Sequence, residues 1–238
     1  MDPRLVTIAV EGDADASMVR RLVQLTNLVV GSEYVLRGKG NLDKKLPAYN
    51  KAAEHACWLV LRDLDRDASC APSLIPQLLP SPAAHMHLRV AVRAAEAWLL
   101  ADPDGLSRFL KVGKQSIPMN PESLDDPKQA LVNVARHSRD RAIREDMVPE
   151  QGTTTRVGAG YTSRIIEFAS RHWDPGAAAR NSESLLRCIQ ALQRWHVQGT
   201  AITGQEKLRS SVSPNSEETS ARPAARKGSG ATSKKRRE

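Results

Sequence analysis

Short β-branched runs alternate with stretches of helical periodicity along the first hundred residues. Residues 5 to 10, LVTIAV, form an apolar run closed by Glu11-Gly12, and from Ala16 to Leu28 the residues Met18, Val19, Leu22, Val23 and Leu25 recur at helical spacing. The pattern predicts strand, tight turn, helix. Tyr34-Val35-Leu36 predicts a second strand entering a flexible loop that carries Gly38 and Gly40, and Lys44 to His55 predicts a second helix. Cys57 to Leu61 is a continuous apolar run of strand length, as expected of a parallel strand buried on both faces. It ends in Arg62-Asp63-Leu64-Asp65-Arg66-Asp67. A helix over Ala71 to Leu79, stopped by Pro80 and Pro82, then precedes a strand over His87 to Val92 and a helix over Ala94 to Leu100.

Beyond Asp104 the pattern is helical, over Gly105 to Leu110, Pro127 to His137, Tyr161 to Arg171 and Ser182 to His196. A Pro-containing polar connection covers residues 113 to 126, and there is no internal repeat. The expected architecture is an α/β core over residues 1–110, with a parallel sheet flanked by helices. A helical extension over 111–200 packs on it, and a basic tail occupies 201–238.

The formal net charge of +8 changes this picture mainly at the end of the chain. Residues 205–238 hold nine Lys/Arg against four Glu, which leaves 26 basic and 23 acidic residues in the first 204. The body is nearly balanced. The tail has no aromatic residue and cannot bury enough apolar surface to offset its ordering entropy, so it is expected to be disordered. Its last basic residues, Lys234 to Arg237, are either a nonspecific phosphate contact or a solubilising terminus. Three widely spaced cysteines, Cys57, Cys70 and Cys188, form neither a disulfide framework nor a zinc motif. With no apolar run of membrane-spanning length and no signal-peptide pattern, the expected setting is cytoplasmic.

Candidate chemistry lies at the strand ends. In an open parallel sheet, ligands bind where loops leave the carboxyl ends of the strands. Glu11 follows the first predicted strand, and Asp63 and Asp65 follow the third. If those strands are neighbours, three carboxylates share one crevice and repel unless a cation offsets them. A hard, oxygen-seeking ion, Mg2+ or Mn2+, suits that donor set. In extended backbone Asp63 and Asp65 face the same side while Leu64 faces the core.

Val10-Glu11-Gly12-Asp13-Ala14-Asp15 after a first strand, followed by Val60-Leu61-Arg62-Asp63-Leu64-Asp65 after a later one, resembles the TOPRIM signature of topoisomerases, primases and the overcoming-lysogenisation-defect nucleases. Ala94 to Asp102, AAEAWLLAD, is similar to a segment of a bacterial family of uncharacterised TOPRIM-like proteins suspected of roles in phage or mobile-element defence. The resemblance covers about residues 5 to 104, and more loosely Gly158 to Trp195. It implies a TOPRIM-like, Rossmann-type parallel sheet in which Glu11, Asp63 and Asp65 are catalytic metal ligands, with Glu11 also a general acid or base. It further implies that Asp15 completes the site or binds a second ion. Glu96 is either a further ligand or simply the partner of Arg93. Paired metals would activate water and neutralise the scissile phosphate without a protein nucleophile. A topoisomerase would need a catalytic tyrosine, and Tyr34, Tyr49 and Tyr161 carry no distinguishing feature.

Other features point elsewhere or nowhere. The Gly38-Lys39-Gly40 loop is no phosphate-binding P-loop, and Arg37, Lys39, Lys44 and Lys45 around it are expected to form a solvated charged face. His85 and His87 are expected to face solvent, and Trp58, Trp98, Trp173 and Trp195 to lie in the core. The leading expectation is a Mg2+-dependent nuclease acting on DNA or RNA in phage or mobile-element defence, with an ATPase encoded elsewhere as partner. The alternative is a non-catalytic TOPRIM-like binding or regulatory subunit, and phosphoryl transfer on a small molecule is a third reading.

Overall fold

The computed structural model describes residues 4–195. Four strands, β1 (Leu5–Val10), β2 (Val29–Val35), β3 (Cys57–Asp63) and β4 (Met86–Ala91), run parallel in the order β2-β1-β3-β4. Helices α1 (Asp13–Leu25), α2 (Lys39–Ala52) and α3 (Ala71–Leu78) make the crossovers between successive strands. The fold is therefore α/β, as the alternation of periods predicts. After β1 the chain crosses to β2 on one side and then returns to place β3 on the other. The two strands at this reversal diverge into their loops, which opens a crevice at their carboxyl ends.

The sheet is buried on both faces. Val6, Ile8, Val10, Leu59 and Leu61 point into one core with α1, while Ala9, Trp58, Val60 and Leu88 point into another with Leu42, Leu46 and Tyr49 of α2. This explains the unbroken apolar run in β3, since a strand covered twice has no polar face to present.

Later helices are α4 (Glu96–Leu100), α5 (Pro103–Leu110), α6 (Pro127–Arg136), α7 (Arg141–Met147), α8 (Tyr161–Arg171), α9 (Pro175–Ala178) and α10, helical from 183 to 195. Their apolar faces join the same cluster as α1 and the sheet, with Trp98, Phe168 and Trp173 at most 1% exposed. The sheet and the later helices share one core. Trp58 and Trp195 are buried as well. The proposed tail over 201–238 lies outside the described residues.

Several boundaries move, each for a local reason. α1 begins at Asp13, directly after the strand turn, because Asp15 Oδ2 accepts from the Gly12 amide at 2.9 Å and closes the first turn. α2 begins at Lys39, inside the expected loop: of the two glycines only Gly38 has a left-handed backbone, φ 117°, next to Arg37 at φ 55°, and Gly40 is simply helical. The short α7 and α9 were not evident as apolar periods, and the 113–126 connection holds two 3-10 turns with Ile117 buried beneath it. His87 does not face solvent. Its ring stacks on Trp195 with centroids 4.0 Å apart, and burial holds its pKa down at about 4.

Trp98 fills the junction of sheet and later helices, and its indole donates to Ser184 Oγ at 2.8 Å. Trp98→Ala is expected to cost about 3–5 kcal/mol in urea unfolding, the usual loss for a large buried aromatic. A cost below about 1 kcal/mol would mean that this junction does not carry the fold.

Candidate functional site

The ends of β1 and β3 meet. Glu11, the first residue after β1, accepts through Oε1 from the Asp63 amide at 3.0 Å. Asp63, the last residue of β3, in turn accepts through Oδ1 from the Ala95 amide at 2.9 Å, which ties in the segment that follows β4. Asp15 comes from the first turn of α1 and Glu96 from the first turn of α4. Four elements thus bring four acids to one end of the sheet.

Their charges are felt mutually. Burial raises the pKa of Asp63 well above the usual carboxylate range, and the negative charges of Asp15, Glu96 and Glu11 push it further. Asp15 is raised to about 7 by burial and by Glu96, against the opposing bond from the Gly12 amide. Burial is also the main cause of the upward shift of Glu11. So close a set of acids is costly at neutral pH without a neutralising cation.

Two groups from the later helices meet Glu96, and neither was singled out in the sequence. Lys128 Nζ and the Tyr161 hydroxyl each lie 3.2 Å from Glu96 Oε1. Glu96 is only 5% exposed, so this pairing offsets a charge that water cannot. The Tyr161 phenol is held strongly towards its neutral form by burial and by Glu96, and it acts as a donor. Arg93, the alternative partner for Glu96, instead donates to the Asp65 carbonyl at 3.0 Å. Faint signals exist for both newcomers. Lys128 stands in the first turn of α6, where the helix dipole disfavours a cation unless an acid faces it. Gly158 and Gly160 precede Tyr161, and a Cβ at Gly160 would come within 2.7 Å of Asp146, so the chain needs glycine there to seat the tyrosine.

Asp65 departs from the expected alternation. β3 ends at Asp63, Leu64 is fully buried, and Asp65 adopts a left-handed backbone with φ 48°, a conformation that Asp tolerates. Its carboxylate pairs with Lys39 Nζ at 2.8 Å, and Lys39 also bonds Asp67 at 3.0 Å. The neighbouring Arg62, 3% exposed, bonds Asp43 at 3.0 Å and Asp67 at 2.5 Å. Asp65 is consequently held at the outer edge of the acid group, close enough to add to the upward push on Glu11. Lys39 belongs to this ion-pair network and not to a free charged face.

Beside the acids opens a cleft of about 480 Å3. Asp63, Asp65, Asp67, Asp125 and Asp126 line it together with Lys39, Arg66, Arg93, Lys128 and Arg156, the last of these paired with Asp126. The donor set fits a hard divalent cation by chemistry: all oxygens, drawn from half-buried to buried acids that repel one another. Among the described residues no three His, Cys, Asp or Glu side chains form a ready-made metal cage. One oxygen each of Glu11, Asp15, Asp63 and Glu96 is engaged by a protein donor, so an ion would use the other. All three cysteines are free, and no helix among the described residues is long and apolar enough to cross a membrane.

The raised acid pKa values have a thermodynamic sign. Asp15 titrates near 3.8 when unfolded and near 7 when folded, so folding favours its protonated form. Stability from this group is full below about pH 4 and is lost as pH rises towards 7. His87, lowered on folding, acts oppositely between about pH 4 and 6.5, so the informative comparison is between variants at one pH. In EDTA, Asp15→Asn is expected to melt about 3–8 °C above the native chain at pH 8, since ~1 kcal/mol moves a domain of this size by ~2–4 °C. The gap should close by pH 4. Equal melting points at pH 8 would show that the acids do not burden the fold.

No protein-family model matches this chain. No curated protein and no solved structure matches it either.

Proposed function

We propose that this chain is a TOPRIM-like, Mg2+- or Mn2+-dependent nuclease that hydrolyses phosphodiester bonds in DNA or RNA, with Glu11, Asp15, Asp63, Asp65 and Glu96 as its metal-binding acids. The observation that carries the reading is the bond between the Asp63 amide and Glu11, which sets two signature acids side by side at the sheet reversal with Asp15 and Glu96 near them. A cytoplasmic role in phage or mobile-element defence, beside a separately encoded ATPase, is the setting proposed from the motif resemblance.

The chain's own groups fall into three tasks. Asp63, Asp15 and Glu96 concentrate negative charge where a cation is needed. A bound divalent ion supplies neutralisation of the scissile phosphate and a water of lowered pKa. Glu11, whose carboxyl is raised by burial, can take or return a proton nearer neutrality than a free glutamate can. Arg66 and Arg93, which line the cleft, attract and orient phosphate oxygens. Tyr161 stays protonated beside Glu96, which suits hydrolysis by water better than attack by a tyrosinate.

A non-catalytic binding subunit is favoured by one specific feature: Lys39 and Lys128 already neutralise Asp65 and Glu96 without any added ion. The two readings separate in a single assay with plasmid, single-stranded DNA and RNA in Mg2+, Mn2+ or EDTA. The nuclease reading expects cleavage that EDTA stops and that Asp63→Asn lowers by ~100-fold or more, with circular dichroism unchanged. Intact substrate in every metal, alongside retained nucleic-acid binding, would overturn it in favour of the binding subunit.

A further inference from the structure

The later helices carry a basic groove that shares no lining residue with the acidic cleft. It encloses about 570 Å3 between α5, α7 and α8, and adjoins a hollow of about 410 Å3 through Arg108 and Lys111. Arg108, Arg164 and Arg171 line the groove, and Arg139 lines the hollow. The carboxylates present, Asp140 and Glu167, are engaged by Lys111 at 2.5 Å and Arg164 at 3.0 Å. Asp104, four residues before Arg108, is taken by Lys114. Arg108 and Arg171 in the groove, and Arg139 in the adjoining hollow, therefore have no ion-pair partner among the described residues.

An aromatic surface lies among these cations. The exposed ring of His172 sits 5.3 Å from Phe109, which is itself 5.2 Å from the buried Phe168. A flat, supported ring flanked by unpaired guanidinium groups is the combination that holds a single strand: cations for the phosphates and a π-face for a base. A duplex keeps its bases stacked and offers only its phosphates.

We propose that this groove binds single-stranded nucleic acid, with Arg108, Arg139 and Arg171 contacting backbone phosphates and His172 stacking on a base. Its purpose rests on the nucleic-acid reading of the acidic centre, but binding here requires no cleavage. The test is fluorescence anisotropy of the full chain with a labelled oligothymidylate and a duplex of equal length, in EDTA, across a salt series. Tighter binding of the single strand is expected. Arg108→Ala/Arg171→Ala should lower the slope of log affinity against log salt by about 1.4, because each single-strand phosphate contact contributes ~0.7. Arg108→Lys/Arg171→Lys should keep most of the slope, and His172→Ala should weaken binding at least ~5-fold while leaving the slope unchanged. Near-UV dichroism checks that each variant is folded. No binding by the native chain, a preference for duplex, or an unaltered slope in the double alanine variant overturns the site. Binding with these signatures in a chain that cuts nothing leaves the groove standing and removes only the nuclease.

Discussion

The Asp63 amide donating to Glu11 Oε1 joins the ends of the two central strands, and the acidic centre is organised around that contact. A backbone amide is a fixed donor, so it sets where the Glu11 carboxylate lies without a flexible partner. The Gly12 amide does the same for Asp15, and the Ala95 amide for Asp63. Three carboxylates are held by main-chain N–H groups in surroundings that burial makes unfavourable for charge. The fold accepts this repulsion because the cores on both faces of the sheet hold the strand ends in place.

The later helices complete the centre from outside the sheet. Lys128 of α6 and Tyr161 of α8 both reach the same oxygen of Glu96, which fixes one side of that carboxylate. Trp98, on the helix that begins with Glu96, is buried against the same helices. Packing and site geometry are therefore coupled: loosening the junction around Trp98 would also move Glu96.

A second layer of order surrounds the DxD loop. Arg62 spans Asp43 and Asp67, and Lys39 spans Asp65 and Asp67, so α2 and the loop after β3 are bound by a shared set of ion pairs. Arg62 is almost fully buried, which makes its pairs less exposed to screening than those of Lys39. The outcome is a loop whose left-handed turn at Asp65 turns that acid away from the strand direction.

Periodicity alone determined the alternation of strands and helices, because a strand buried on both faces must be apolar throughout and a crossover helix must show an apolar stripe. The run Cys57 to Leu61 and the acids that close it were legible for that reason, as was Glu11 at the end of the first strand, whereas Asp15 and Glu96 entered only through the motif resemblance. The start of α2 was not, since glycines at 38 and 40 look alike in sequence and only Gly38 has the left-handed backbone. Nor were the partners. Lys128 and Tyr161 lie 32 and 65 residues from Glu96, and only the shared core of sheet and later helices brings them to it. Local patterning records which face a residue must bury; which distant side chain meets it there is decided by packing in three dimensions.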